Sequence, residues 1–415
     1  MREPVYKSRP VEPNPAKFGG ERVNDFIVLS EAFSNCYLIE TPEGNVQLNA
    51  GMGMEASVID TNFKDFSDAP LHTLIFTQGH VDHVGGTAYF REKNPGLRVV
   101  ASDRNPEHQS YDGRLSSFRG NRSAFAFTEK FADAFAYYQQ HGLSEFPAQD
   151  SPTADILVED RLDFALGDIQ FEVIAVPGAE TNDSLIVWLP QHKICFTGNL
   201  FGCPFGHFPN LVTIRGDRYR EALVVANAVA TVRALEPEMI CYGHHAPIRG
   251  KQLIREELNA LYDAIHYVHD KTVKGMNDGK DVHTLMKEIT LPPEMEVGQG
   301  YGKVSWSVRA IWESYAGWFH HRSTTELYSV PPSSIATDIV ELAGGAEAVL
   351  DRAQEKLDAG KHAEAIHLLD IIRDSGADCT QSRQLGINVH QAMLQETDNF
   401  WLSCWLKNQV RLLTS

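Results

Sequence analysis

The pattern of hydrophobic and polar positions in the first 250 residues predicts a layered α/β domain. Strand-like segments fill 26–50, and a helix-rich, aromatic stretch at 103–150 interrupts the strand pattern. Further apolar runs typical of buried strands lie at 71–77, 98–102, 168–176, 183–190, 193–198 and 238–243. Because helical stretches alternate with these strands, we predict an α/β fold in which residues 103–150 cover a pocket.

From about residue 217 the apolar spacing becomes helical, as in DRYREALVVANAVATVRAL (217–235). Near the end, AVLDRAQEKLDAGKHAEAIHLLDIIRDS (348–375) predicts two amphipathic helices around a turn at Gly360, similar to a tetratricopeptide hairpin. We therefore predict three segments: a polar leader at 1–24, an α/β domain at 25–325 and a helical domain at 326–415.

Composition excludes some classes of partner. With a formal net charge of -18, the chain has no excess of cations for nucleic acid, and no apolar run is long enough for a membrane helix. Six cysteines without close pairing indicate reduced thiols, and the polar N-terminus lacks the apolar core of a signal peptide. We expect a cytoplasmic protein; a signal removed before this sequence begins is the alternative.

The strongest chemical motif is QGHVDHVGG, which follows the apolar run at 71–77 directly. It places His80, Asp82 and His83 in one short loop after a strand. Imidazole nitrogens and a carboxylate oxygen suit zinc or a similar divalent ion. An ordinary polar loop is the alternative, so the motif needs support from elsewhere in the chain.

Three later motifs supply that support, each at the end of a predicted strand: VPGAET (176–181), CFTGN (195–199) and YGHHAP (242–247). In this order the four motifs resemble those of the metallo-β-lactamase superfamily. The resemblance implies an αββα sandwich, here the catalytic domain at 25–325, with metal ligands in each of the four loops.

Further segments resemble the alkylsulfatase group of that superfamily. Glu180 stands where this group replaces a histidine by glutamate, and LVTIRGDRYREAL (211–223) and GYGKVSWSVRAIWESYAGWF (300–319) are similar to its text. GGAEAVLDRAQEKLDAGKHAEAIHLL (344–369) is similar to its dimerisation domain. The resemblance thus implies a C-terminal all-α dimerisation-type domain and a homodimer.

The resemblance also implies a ligand set for two ions. Gln78, His80 and Glu180 would bind one ion, Asp82, His83 and His244 would bind the other, and Asn199 would lie between them. Gln78 and Asn199 depart from the family, which has a histidine and an acidic residue there. Neutral amides bind zinc weakly, so we expect the set with His244 to hold the tighter ion. The expected cofactor is Zn²⁺, as one or two ions, with iron or manganese as alternatives.

Other residues receive roles from the same resemblance. Arg215 would bind an anionic group through its guanidinium, and Asn121 and Arg122 would contact the same substrate. His207 is a candidate proton donor to the leaving group, although an ordinary loop histidine is the favoured alternative. His245 would orient the adjacent ligand or be structural.

These expectations together predict a metal-dependent hydrolase of a sulfate ester or related anionic ester, in which Asp82, Arg215 and His207 are the catalytic candidates. The first alternative is a diverged relative that acts on a phosphate, carboxylic ester, lactone or amide. A di-iron redox protein and a non-catalytic dimeric scaffold are the others. The expected partner is a small-molecule substrate, with neither nucleic acid nor a membrane.

Overall fold

The computed structural model, which describes residues 3–415, contains two β-sheets. Its coordinates divide into the units Met1–Tyr315 and Ala316–Ser415, and both sheets lie in the first. The first sheet has seven strands: β1 (Glu21–Asn24), β2 (Ile27–Ser30), β3 (Cys36–Thr41), β4 (Gly44–Leu48), β5 (Leu71–Ile75), β6 (Arg98–Ser102) and β7 (Ile156–Val158). They neighbour each other in chain order; the pairs from β1 to β4 are antiparallel and those from β4 to β7 are parallel.

The second sheet has six strands: β8 (Arg161–Leu166), β9 (Ile169–Ala175), β10 (Leu185–Leu189), β11 (Ile194–Gly198), β12 (Met239–Tyr242) and β13 (Ile248–Arg249). Their spatial order is β13-β12-β11-β10-β9-β8, and only the β11–β12 pair is parallel. Strands β10 and β11 are buried along their whole length, whereas the edge strand β8 alternates between exposed and more buried positions. Continuous burial is expected where both faces of a sheet are covered.

In the described part of the first unit, from residue 3 onward, nine α-helices begin: α1 (Ala56–Lys64), α2 (Val81–Val84), α3 (Thr87–Lys93), α4 (Asn105–Arg114), α5 (Ser116–Gln140), α6 (Ala222–Ala234), α7 (Lys251–Asn277), α8 (Val282–Glu288) and α9 (Val304–Ala316). The apolar side chains form three layers of core. One lies between the sheets, with Ile39 and Val187. A second lies between the first sheet and α1, α3 and α5, and the third between the second sheet and α6, α7 and α9. This is the predicted αββα sandwich.

The second unit is helical, with α10 (Ala336–Leu342), α11 (Ala346–Asp358), α12 (His362–Asp374), α13 (Thr380–Gln395) and α14 (Phe400–Thr414). The predicted hairpin corresponds to α11 and α12, and Gly360 between them has φ 68°, a conformation that glycine adopts without strain. Ala353 and Ala365 are fully buried, which lets the two helices approach closely. The all-α C-terminal domain type is therefore confirmed.

The predicted strands correspond closely to those of the structure, and residues 98–102 match β6 in full. The stretch 103–150 contains α4 and α5, as its helix-rich pattern indicates. Strand β1 begins within the segment predicted as a leader, where Val23 is buried in the core between the sheets. Among the described residues, none of the helices combines the length and apolar character that crossing a membrane requires.

Candidate metal centre

The QGHVDHVGG loop follows β5, and α2 begins directly after His80. The side chains of Gln78, His80 and His83 are buried there. Gln78 Nε2 lies 3.1 Å from His80 Nδ1 and 2.8 Å from His83 Nε2. The amide therefore bridges the two imidazole rings.

Both ring nitrogens of His83 lie close to polar side chains. Its Nδ1 lies 3.1 Å from both Ser34 Oγ and Thr77 Oγ1. Its Nε2 lies 3.2 Å from Asn199 Nδ2 and 3.7 Å from Asp82 Oδ2. Burial lowers the pKa of His83 well below its usual value, and His80 adds to the effect. The ring is thus neutral at pH 7, the form that binds metal.

His244 follows β12 and Asn199 follows β11, so both come from the parallel strand pair of the second sheet. Burial lowers the pKa of His244 to about 3, although the Asp82 carboxylate opposes the shift. The residue before His244 is Gly243, and a larger residue would not fit there, because a Cβ at this position would lie 1.8 Å from Asn199 Oδ1. The strand ends of both sheets meet at one edge, where Thr77 O accepts a hydrogen bond from Leu185 N at 2.8 Å.

The donor atoms on the His83 and His244 side fit a metal ion by their chemistry. His244 Nδ1 and Asn199 Oδ1 are buried and have no hydrogen-bond partner within the part of the chain that the structure describes. An unpartnered buried polar atom is costly, and Asn199 Oδ1 can only accept, which favours a cation at this point. Within residues 3–415, however, no three His, Cys, Asp or Glu side chains are arranged so that they could hold an ion together. Donor type and burial, rather than a complete cluster of ligands, therefore favour a metal here.

Glu180, the predicted ligand of the other ion, is already paired. Arg220 Nη2 donates to Glu180 Oε1 at 2.9 Å, and Arg220 Nε donates to the Glu180 carbonyl at 2.6 Å. The two side chains are 11% and 6% exposed for Glu180 and Arg220. The carboxylate thus already shares its charge with a protein cation, whereas His80 Nε2, like His244 Nδ1, is buried without a hydrogen-bond partner among the described residues.

Asp217 is a site residue that sequence reasoning missed. Its Oδ2 lies 3.6 Å from His80 Nε2, beyond hydrogen-bond range, and its Oδ1 accepts from Arg119 Nη2 at 2.7 Å. Burial raises the pKa of this carboxyl, but His80, Arg220 and Arg119 outweigh burial and hold it well below its usual value. The only sequence signal was its position two residues after Arg215.

His108 of α4 was missed as well. Its ring packs edge-on against the ring of His80, with 5.3 Å between the centroids. Its Nδ1 lies 3.0 Å from Asn182 Oδ1 and 3.8 Å from Asp183 Oδ1. Asn105 Nδ2 donates to Asp183 Oδ2 at 2.8 Å, so the helix start is tied to the loop after Glu180. Nothing in the local sequence distinguishes this histidine.

Arg215, the predicted anion-binding residue, lies close enough to His80 for its charge to act on that ring. Its Nε is buried and has no hydrogen-bond partner among residues 3–415. Arg122 lies behind it: Nε donates to the Arg215 carbonyl and Nη2 to the Ile214 carbonyl, each at 2.7 Å. The neighbouring Asn121 is exposed on α5.

His207 and His245 lie in different surroundings. His207 is buried, its Nδ1 accepts from Gly300 N at 2.9 Å, and its ring meets Tyr6 edge-on at 5.3 Å. These contacts are structural, and its role as proton donor stays a prediction. His245 has φ 61° and points Nδ1 at Glu31 Oε1, 3.3 Å away.

Two family models match this chain. The model of the metallo-beta-lactamase superfamily matches residues 29–244, more than half of the chain, and the model of alkyl sulfatase dimerisation matches residues 282–412. The protein therefore belongs to the metallo-β-lactamase superfamily, and it carries the dimerisation segment of alkylsulfatases.

Similar proteins include the linear primary-alkylsulfatase of a Pseudomonas species, 27% identical over 75% of this chain and 61% of the relative. The alkyl/aryl-sulfatase of Saccharomyces cerevisiae is 23% identical over 83% of this chain and 55% of that protein. The solved structure of the stereoselective inverting sec-alkylsulfatase Pisa1 from a Pseudomonas species aligns with a TM-score of 0.82, at 20% identity, over 95% of this chain and 66% of that one. That likeness establishes the fold. The chain spans 51–64% of the length of its curated relatives.

Proposed function

We propose that this protein is a metal-dependent hydrolase of sulfate esters. The observation that carries the proposal is the position of Arg215, a partly buried cation whose Nε has no hydrogen-bond partner among the described residues and whose charge acts on His80. A cation of this geometry suits a sulfate group because its fork matches two oxygen atoms. The names of the relatives, all alkylsulfatases, support the same substrate class.

We further propose that Asp82, His83 and His244 hold the ion, with Zn²⁺ as the first choice and iron or manganese as alternatives. Two neutral imidazoles and one carboxylate match zinc in donor type. When bound, the ion would stabilise negative charge and activate water for attack on the ester. Ser34 and Thr77 would keep the His83 ring in the orientation that binding needs, since both hydroxyls contact its Nδ1.

The residues on the Glu180 side of the site favour one ion per chain over two. Gln78 and Asn199 replace an acidic or imidazole donor by an amide, and Glu180 is committed to Arg220. A second ion would have to share the carboxylate with the Arg220 guanidinium, which donates to Oε1. Gln78, His80 and Glu180 then line the site, and the Asp217 carboxylate places negative charge near His80.

Metal quantification on the purified protein, together with rates on sulfate, phosphate and carboxylic esters, tests the proposal. We expect one zinc per chain and hydrolysis of the sulfate ester at the highest rate. His244→Ala should lose both metal and activity, whereas His283→Ala, which changes an exposed histidine of α8, should lose neither. A fast carboxylic or phosphate ester with no sulfate ester turnover would replace the proposed substrate class. Two redox-active irons would indicate the redox alternative, and absence of metal after zinc addition the scaffold.

A homodimer is also proposed, on the match to the alkyl sulfatase dimerisation model. The helical unit carries exposed apolar side chains that a second copy would cover, among them Leu342, which is 89% exposed, and Leu412, which is 54% exposed. Light scattering should give twice the chain mass. A cytoplasmic location stays a prediction.

A further inference from the structure

The segment that carries Arg215 has little regular structure of its own. Residues 211–220 contain neither helix nor strand, and two backbone hydrogen bonds close the segment on itself. Gly216 N donates to Thr213 O at 3.0 Å, and Arg220 N donates to Leu211 O at 3.0 Å. Two such bonds leave the direction of Arg215 dependent on contacts from elsewhere.

Those contacts come from α4 and α5. Arg122 of α5 donates to the carbonyls of Ile214 and Arg215, as described above. Gly216 faces the same arginine, because a Cβ there would lie 3.4 Å from Arg122 Nε. The planar fork of a guanidinium fixes two adjacent carbonyls at once, which a single donor cannot do.

Two more ion pairs join the same helices to the same segment. Arg119 of α5 binds Asp217 at 2.7 Å, and Arg218 donates to Glu107 of α4 at 2.7 Å. Arg119 and Arg218 also lie 4.8 Å and 4.1 Å from the ring centroid of Tyr111. The helix pair and the segment are therefore connected on both sides of Arg215.

We propose that Arg122 is a positioning residue that fixes the Arg215 segment and so sets the affinity of the site for sulfate. This inference rests on the proposed function for its ligand. It also gives Arg122 a different role from the direct contact with the anion that the family resemblance implies. The structure favours the indirect role, because Nε and Nη2 already donate to carbonyls and the guanidinium lies 5.4 Å from the Phe118 ring centroid.

The test compares Arg122→Ala, Arg122→Lys and the wild-type protein by amide hydrogen exchange without any ligand. We expect exchange at Gly216 and Arg220 to rise about tenfold in Arg122→Ala, since two charge-assisted hydrogen bonds are lost. The lysine variant keeps the positive charge but lacks the planar pair of N–H donors. Its exchange rates should therefore lie between those of the alanine variant and the wild type. If the alanine variant does not fold, the lysine variant carries the same test.

Binding of inorganic sulfate to the metal-loaded protein, measured by calorimetry, is the second readout. We expect about tenfold weaker binding in Arg122→Ala, a KM for sulfate ester raised by a similar factor and an unchanged kcat, at unchanged metal content. Arg104→Ala, an exposed arginine at the start of α4, is the matched control and should change nothing.

Two results would overturn the proposal: wild-type exchange in Arg122→Ala, or raised exchange with wild-type sulfate affinity. If both variants show wild-type exchange and the lysine variant keeps full sulfate affinity, the result would favour direct contact between Arg122 and the anion. Failure of the proposed function looks different, because a protein that binds no sulfate in wild-type form would still show the exchange effect.

Discussion

The two halves of the candidate site use their polar atoms in different ways. On the His83 and His244 side, the imidazoles are buried and neutral, and His244 Nδ1 has no hydrogen-bond partner among the described residues. On the Glu180 side, the carboxylate already has a buried cation in Arg220. A protein cation and a metal ion answer the same electrostatic need, so the half that lacks a protein cation is the half that calls for a metal.

The largest expected effect separates the halves directly. His244→Ala should lower bound metal below one tenth per chain and slow hydrolysis roughly a thousandfold or more, because metal assistance contributes several kcal/mol. Gln78→Ala should retain most of the metal. Metal analysis and single-turnover rates on both variants make the comparison. Equal metal loss in both variants would mean that the two halves bind the ion jointly, which contradicts a division of roles between them.

Removal of Arg220 should show how strongly the Glu180 side of the site depends on this cation for stability. Arg220→Met leaves the Glu180 side chain, which is only 11% exposed, without its cation, and we expect a loss of about 3–5 kcal/mol in the free energy of unfolding, typical of a broken buried pair. Urea denaturation of the metal-free protein measures it. The double variant Arg220→Met, Glu180→Gln should recover most of the loss; if it does not, the pair is not the source of the stability.

A buried acid whose pKa is affected by Asp82 gives a pH-dependent prediction. Glu55 accepts hydrogen bonds from Ala16 N and Phe33 N at Oε1 and from Met52 N at Oε2, at 2.8–3.0 Å. Burial raises the pKa of Glu55 to about 7 despite these donors. A raised pKa means that the folded state binds the proton more tightly, so the contribution to stability is present at low pH and is lost as pH rises toward 7.

The expected size is about 3 kcal/mol between pH 4.5 and 7, from the shift of the pKa between the unfolded and folded states. Unfolding by urea, followed in the metal-free protein at several pH values, should show this decline. Glu55→Gln cannot titrate and should remove it. The same slope in Glu55→Gln and wild type would assign the dependence to another group.

The smallest effect concerns the hydroxyls that hold His83. Ser34→Ala removes one of two contacts to Nδ1, so we expect roughly tenfold weaker zinc binding, at the lower end for residues that orient a ligand. Competition with a chromogenic chelator measures the affinity. Thr61→Ala, which changes a threonine whose hydroxyl bonds to its own helix, is the control. Unchanged affinity in Ser34→Ala would show that Thr77 alone orients the ring.

The sequence predicted the fold, and it predicted the strand-end loops that form the candidate site, for identifiable reasons. Strands such as β6 and β10 are continuous apolar runs, because both faces of their sheets are covered, and this leaves a local pattern. The grouping of His80, Asp82 and His83 was predictable because strand ends place neighbouring residues at one edge. The roles of Gln78, Asn199 and His207 in metal binding and catalysis remain predictions.

What the sequence determined by itself is therefore local: strands and helices, the four loops at strand ends, and the residue types they present. What only the tertiary structure decided is pairing over distance. Arg119 and Asp217 are 98 positions apart, and Arg220 reaches Glu180 over 40. No periodicity encodes which side chain of α5 faces which carbonyl of the Arg215 segment, because that depends on how the helix packs across the first sheet. The charge of the site is set by those contacts.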